Sequence, residues 1–229
     1  MLIRWTILAL LLTASIAVRS SEMIDRIVAT VNGHVILQSD WDEELRFECF
    51  MSGHTLRDIS IDQKKAALER LIDQQILREQ MRLMDSKPTA AEQIEKQMDI
   101  LKADQLRQHA GASWGTALSQ YRLTDKIIEN HVAAELEQFQ LIDSRFRPSI
   151  QISATEIEKY YREQLVPKIP ASDPVSLTDA TPKIREILVQ EKMNQLLNSW
   201  LETLRSQAQI RITSANSSNN SEGPQGETR

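Results

Sequence analysis

The sequence predicts a mainly α-helical protein: a multi-helix domain with a small β-hairpin, completed by a long C-terminal helix and a short terminal strand. Three observations support this class. Two short apolar segments flank Asn32-Gly33, hydroxyl residues precede acidic or amide residues at several likely helix starts, and residues 183–207 form one long amphipathic stretch. The first pattern is typical of a hairpin, and the other two are typical of helices.

The N-terminal segment has the features of a secretory signal peptide. Arg4 precedes an uncharged apolar run over residues 5–18, and a small-residue step ends at Ala17. This order of a basic start, an apolar run and a small-residue site is typical of exported proteins. The run is shorter than the ~20 residues that a membrane-spanning helix needs. We therefore expect residues 1–17 to be a Sec-type signal peptide cleaved after Ala17, with an uncleaved anchor as the alternative.

Composition limits both the source of stability and the class of partner. Cys49 is the one cysteine in the 229 residues, so the chain cannot form an internal disulfide and must be stabilised by packing. The formal net charge is -5, whereas a nucleic-acid surface requires a clustered excess of basic residues. We therefore expect no nucleic-acid partner, whereas the charge does not exclude polypeptide partners.

The first predicted element after the leader is a two-stranded hairpin. Residues 24–31 are rich in β-branched side chains, Asn32-Gly33 follows, and residues 34–37 are again largely apolar. Both residues of an Asn-Gly pair accept the positive φ of a type I′ turn, which makes the pair a strong hairpin signal. A two-stranded ribbon is marginal in isolation, so we expect another element to cover or extend it.

Four sequence pairs predict helix starts of the capping-box type. In such a start, a hydroxyl and a side chain three residues later satisfy each other's free backbone N–H groups. The four pairs are Ser39 with Asp42, Ser60 with Gln63, Thr89 with Glu92, and Ser153 with Glu156.

Apolar periodicity then predicts the helices themselves. Residues 61–84 carry two apolar stripes, which is typical of a helix covered on both sides and hence central. Further helices are predicted over residues 90–109, around residues 114–121, over residues 124–146, and from residue 153 to residue 166.

The C-terminal third divides into a linker, a helix, a strand and a tail. Residues 167–182 contain four prolines among Ser, Asp and Thr, which predicts a stiff linker after a domain at 18–166. Residues 183–207 predict the long helix, and the alternation at residues 210–212 predicts a third strand that could cover the hairpin. Residues 214–229 have no apolar anchor, which predicts a disordered tail beyond a closing unit at 183–213.

Several of these segments resemble the SurA family of periplasmic chaperones. Residues 24–40 and 68–77 resemble the N-terminal domain of that family, residues 153–161 resemble the helix that leads into its first parvulin-type isomerase domain, and residues 184–212 resemble its closing helix and strand. The resemblance implies a periplasmic protein whose N-terminal domain is completed by the C-terminal helix and strand. It also implies unfolded outer-membrane or envelope polypeptides as partners, with no stable membrane insertion after cleavage of the leader.

The sequence departs from this family where the isomerase domain would lie. That domain would stand between the helix at residues 153–166 and the closing helix, where this chain has only the segment 167–182. The four histidines lie outside this segment: His34, His54, His109 and His131. They show no metal-ligand spacing, and no phosphate-binding loop or nucleophile motif is present, so we expect no catalytic residue, metal site or cofactor.

Methionines and aromatic residues in the first helical half are the candidate peptide-binding side chains. Flexible, polarizable methionines suit a surface that accepts many apolar shapes, although core packing is the commoner reason for methionines at helical spacing. We expect part of this set to line a groove between the hairpin and the helices: Met51, Met81, Met84, Met98, Trp114 and Tyr121.

The leading functional hypothesis is an ATP-independent holdase that binds unfolded envelope polypeptides. The alternatives are a peptidyl-prolyl isomerase of the parvulin type and a structural adaptor that uses the C-terminal helix to bind one folded partner. The sequence leaves the oligomeric state open.

Overall fold

A computed structural model describes residues 25–84, 88–108, 113–168 and 175–213. The predicted signal peptide, the predicted C-terminal tail and the middle of the predicted linker lie outside these residues. The described elements are, in chain order, strand β1 (Ile27–Val31), strand β2 (His34–Leu37), helices α1 (Gln38–Ser52), α2 (Ile61–Leu83), α3 (Ala91–Gln108), α4 (Trp114–Gln120) and α5 (Asp125–Phe146), a 3-10 turn (Arg147–Ser149), helix α6 (Ala154–Tyr160) with a π turn (Tyr161–Leu165) and a 3-10 turn (Val166–Lys168), helix α7 (Leu177–Gln207), and strand β3 (Ile210–Ile212). The fold is mainly helical with a small three-stranded antiparallel sheet, so the predicted fold class is confirmed.

The sheet joins the N-terminal and C-terminal parts of the described chain. Its strand order is β2-β1-β3, and β3 pairs antiparallel with β1 so that Val31 faces Ile210. The turn between β1 and β2 has φ of 49° at Asn32 and 86° at Gly33, as the predicted type I′ geometry requires. Asn32 also exchanges bonds with the C-terminal segment, because its backbone N–H donates to the Gln209 carbonyl at 3.0 Å and its side-chain Oδ1 accepts from the Gln209 N–H at 2.8 Å.

The capping boxes predicted at Ser60 and Ser153 are confirmed. The Ser60 hydroxyl accepts from the Gln63 N–H at 3.1 Å, and the Ser153 hydroxyl accepts from the Glu156 N–H at 3.2 Å. In both helices the side chain of the third residue returns a bond to the backbone N–H of the capping serine. These helices therefore start where local sequence predicts.

The starts predicted at Ser39 and Thr89 are wrong. Helix α1 begins one residue before Ser39, and the hydroxyl of Ser39 donates instead to the carboxylate of Asp25. The carboxylate of Asp40 accepts from the Leu37 N–H at 2.9 Å and so serves as the acceptor at this helix start. Helix α3 begins at Ala91, and the buried Thr89 hydroxyl finds no hydrogen-bond partner among the described residues.

Two main hydrophobic clusters form the core, and helix α2 contributes to the one beneath the sheet. The sheet cluster comprises Val28, Ala29, Val31, Ile36, Leu68, Ile72 and Ile76. The helical cluster comprises Cys49, Phe50, Met98, Leu101, Ala117, Leu118, Tyr121, Leu123, Ile128 and Val132. Helix α2 contacts β1, β2, α1, α5 and α7, so its predicted central position is confirmed.

A third, smaller hydrophobic cluster is formed by Ile157, Ala180 and Ile184. Helix α7 runs from this cluster to the sheet. At its N-terminal end, Ile184 is buried against Ile157 of α6, and further on Trp200 meets Phe146 of α5 edge to face with ring centroids 5.6 Å apart. The helix begins at Leu177, so the prediction that the linker continues to residue 182 is wrong. Pro182 lies inside this helix, which the Ser176 side chain starts by accepting from the Asp179 N–H at 3.2 Å. None of the described helices combines the length and apolar character needed to cross a membrane.

Candidate functional site

An open groove lies between the hairpin and helices α1, α2 and α5. Its cavity volume is about 730 Å³, within the range of ligand-binding clefts. Strand β2 contributes Val35 and Ile36 at one end, α1 and α2 form two walls, and α5 contributes His131 and its neighbours. Ile36 and Leu71 of the groove lining pack in or on the sheet cluster, and Phe47 packs on the helical cluster. Both clusters therefore support the groove walls.

Apolar side chains cover part of the groove wall. Phe47 and Met51 lie on α1, one helical turn apart, and Leu71 faces them from α2. Val35 is 47% exposed and Met51 is 36% exposed, so both offer apolar surface to a ligand. The ring of Phe47 stacks on His131 at a centroid distance of 4.0 Å and an interplanar angle of 3°.

Glu44 places a buried carboxylate on the groove. The residue is only 4% exposed, and its Oε1 lies 3.7 Å from Nε of Arg70. Its Oε2 lies 3.8 Å from Nδ1 of His131 and has no hydrogen-bond partner among the described residues. Burial raises the pKa of Glu44, and the nearby Arg70 guanidinium and a side-chain hydrogen bond from Gln74 only partly oppose that shift.

His131 lies beside this carboxylate in surroundings that favour its neutral form. Burial lowers its pKa, because a charged ring would lose solvation in this position. Its Nε2 lies 3.7 Å from Oε1 of Glu43, which is too far for a hydrogen bond. The His131 ring stacks parallel to Phe47 and forms part of the groove wall.

Of the candidate residues predicted from sequence, only Met51 lines this groove. Met81 is half-buried and Met84 is 48% exposed, and both lie near the C-terminal end of α2, away from the groove lining. Met98 and Tyr121 are 7% and 4% exposed within the helical cluster, so they are closed to a ligand in this conformation.

Trp114 packs against the helical cluster rather than along the groove. Its side chain is half-buried and contacts Phe50 edge to face with centroids 5.6 Å apart. Its indole N–H donates to Oδ1 of Asp125 at 2.8 Å. For Met98, Trp114 and Tyr121, core packing therefore accounts for the position of the side chain.

The sequence interpretation missed Glu44, Phe47, Arg70 and His131 as groove residues. A signal was present on α1, where Glu44, Phe47 and Met51 recur at helical spacing on one face. A carboxylate on the same stripe as two large apolar residues indicates a half-buried charge. No comparable local signal marks Arg70 or His131, because only the tertiary fold brings them to α1.

The described residues contain no group of three or more His, Cys, Asp or Glu side chains arranged to hold a metal ion. The sequence matches no model of a known protein family, and no curated protein matches it. The functional interpretation therefore depends on the groove and on the chemistry of its walls.

Proposed function

We propose that the protein is a periplasmic, ATP-independent holdase that binds extended segments of unfolded outer-membrane or envelope polypeptides in this groove. The observation that carries the proposal is the open cavity of about 730 Å³, with exposed Val35 and Met51 beside half-buried Phe47 and Leu71. Such a cavity has room for a few side chains of an extended chain. The predicted signal peptide supports the periplasmic location.

The size of the apolar surface supports reversible binding. Covering roughly 200 Å² of apolar area would contribute about 5 kcal/mol at ~25 cal/mol per Å². Ordering a flexible client opposes a large part of this gain. The net affinity is therefore modest, as a chaperone that releases its clients without ATP requires.

The test is suppression of aggregation by the mature protein, with a groove variant and a matched surface variant. Unfolded outer-membrane barrels of several unrelated types are diluted from denaturant, and their aggregation is followed by light scattering. Met51→Asp places a charge in the groove, whereas Leu83→Asp places the same charge at a residue that is 79% exposed and outside it. We expect the Met51 variant to lose at least about half of the suppression and the Leu83 variant to retain it.

Three results would overturn the proposal. The unmodified protein would leave the aggregation of every barrel unchanged, or the two variants would lose suppression equally. Protection of a single client alone would instead favour the assembly-adaptor alternative.

A further inference from the structure

Three of the carboxylates that line the groove lie on helices α1 and α5. Glu43 and Glu44 come from α1, and Glu135 comes from α5, one helical turn after His131. The two neighbours are close enough to Glu44 for their negative charges to contribute to its raised pKa, after the larger effect of burial. The groove walls also raise the pKa of Glu135, although this side chain is more exposed than Glu44.

Among the described residues, the guanidinium groups that line the groove compensate these carboxylates only in part. Arg70 approaches Glu44 only to 3.7 Å, and its hydrogen bond goes to the carboxylate of Glu48. Arg78, the other guanidinium on the groove, donates to Oε1 of Gln75 at 2.9 Å. His131 also lies beside Glu44, and burial lowers its pKa, which favours the neutral imidazole.

One carboxylate oxygen of Glu44 has no hydrogen-bond donor among the described residues. Withdrawing a carboxylate from water is costly unless a charge or hydrogen-bond donor compensates it. Glu44 lines the groove, and its Oε2 is shielded from solvent and receives no hydrogen bond within the described part of the chain. Arg70 and a hydrogen bond from Gln74 compensate this carboxylate in part, and a ligand donor at Oε2 would complete the compensation.

We propose that this part of the groove is a subsite for one basic side chain of a bound polypeptide, with Glu44 as its main contact and Glu43 and Glu135 as supporting charges. The proposal rests on the proposed function and adds the chemistry of the recognised segment. The aliphatic stem of a lysine or arginine suits the adjacent apolar surface of Phe47 and Met51, since such side chains bury their stems and keep the charged head polar. The preferred client segment is therefore apolar with one cation, rather than uniformly apolar.

The test uses three peptides that differ at one position. Each is a nine-residue extended peptide of apolar and small residues, acetylated, amidated and fluorescently labelled, with lysine, norleucine or glutamate at its centre. Binding to the mature protein is measured by fluorescence anisotropy. We expect the lysine peptide to bind about tenfold more tightly than the norleucine peptide, because a charge-assisted hydrogen bond to a buried carboxylate is strong. The glutamate peptide should bind most weakly.

Variants of the protein assign the preference to the subsite. Glu44→Gln keeps the side-chain shape and removes the charge, so it should remove the tenfold preference for lysine while leaving the norleucine peptide unaffected. Glu135→Gln, at a more exposed residue, should reduce the preference about threefold without risk to folding. Glu137→Gln makes the same charge change on α5 outside the groove lining and should leave all three affinities unchanged.

The possible failures are distinguishable. Equal binding of the lysine and norleucine peptides overturns the subsite and leaves the proposed function intact. A preference for lysine that the Glu44 and Glu135 variants retain places the recognition elsewhere and also overturns it. If none of the three peptides binds, the proposed function fails together with the subsite.

Discussion

Replacing Arg205 with alanine removes the polar link between the C-terminal helix α7 and the central helix α2. Arg205 Nε donates to Oδ1 of Asp73 at 2.5 Å, Nη1 donates to Oε2 of Glu69 at 2.7 Å, and Nη2 donates to the Glu69 carbonyl at 3.1 Å. The three side chains are about one-third exposed, so solvent screens their charges. Each ion pair therefore contributes only roughly 0.5–1 kcal/mol to the free energy of unfolding. With the lost packing of the arginine stem, we expect the free energy of unfolding to fall by about 2 kcal/mol.

Urea unfolding of the mature protein, followed by circular dichroism, measures this change. At a typical urea dependence of about 2 kcal/mol per M, the midpoint should fall by about 1 M. Arg162→Ala is the control, because Arg162 is exposed on the π turn after α6, and its loss should move the midpoint by less than about 0.2 M. A double-mutant cycle between Arg205→Ala and Asp73→Ala should give a coupling energy of about 1 kcal/mol.

One result would refute the reasoning. If the Arg205 and Asp73 substitutions were additive, with a coupling energy near zero, the two side chains would not interact in solution. The docking of α7 against α2 would then be wrong, and so would a fold whose C-terminal helix and strand complete the N-terminal domain.

Three further substitutions test the turn, the core and an ion pair. Ile72→Ala empties a fully buried position under the sheet and should cost about 2–5 kcal/mol of unfolding free energy. Gly33→Ala should cost about 1 kcal/mol, because φ is +86° there although nothing obstructs an added Cβ. Lys192 and then the Ser153 cap lower the pKa of Glu156 to about 2, so the stability from this carboxylate is present above its unfolded value of 4.5 and is lost as pH falls toward 2. Urea midpoints measure all three effects. Glu156→Gln should remove the part of the pH dependence of stability that comes from this carboxylate.

Each of these expectations has an opposing outcome. A loss below about 1 kcal/mol at Ile72 would show that the sheet does not pack on α2 as described. An unchanged midpoint for Gly33→Ala would contradict the positive φ of the turn. Identical pH profiles for the unmodified protein and the Glu156 variant would show that Lys192 and the cap do not favour the charged carboxylate.

Local chemistry explains why much of the fold could be predicted from sequence. The Asn32-Gly33 turn depends on the conformational preferences of two adjacent residues, and the Ser60 and Ser153 caps depend on side chains three positions away. The Ser39 start was mispredicted because Asp25, which is distant in sequence, takes the serine hydroxyl. The beginning of α7 was placed too late because Pro182 indicated a break, whereas the cap at Ser176 starts the helix before the proline.

The groove could be predicted only in outline. The sequence hypothesis places a groove between the hairpin and the helices, and a cavity lies there with Met51 of the candidate set in its lining. Residue type alone did not separate Met51, which faces the groove, from Met98, which is buried in the core. Glu44 lies in the acidic N-terminal half of α1, yet the packing of α2 and α5 against α1 buries it. The stripe on α1 indicates a half-buried charge, but the extent of its burial depends on the assembled helices.

Helix α2 connects the groove to the closing helix. Arg70 and Leu71 face the groove, whereas Glu69 and Asp73 hold Arg205 of α7. A ligand that binds the protein only when α7 is docked on α2 stabilises the docked state by about 2.7 kcal/mol at a concentration 100 times its dissociation constant. This gain is comparable to the loss expected from removing Arg205. If ligand binding requires docked α7, we expect occupation of the groove and docking of α7 to strengthen each other, because α2 contributes residues to both.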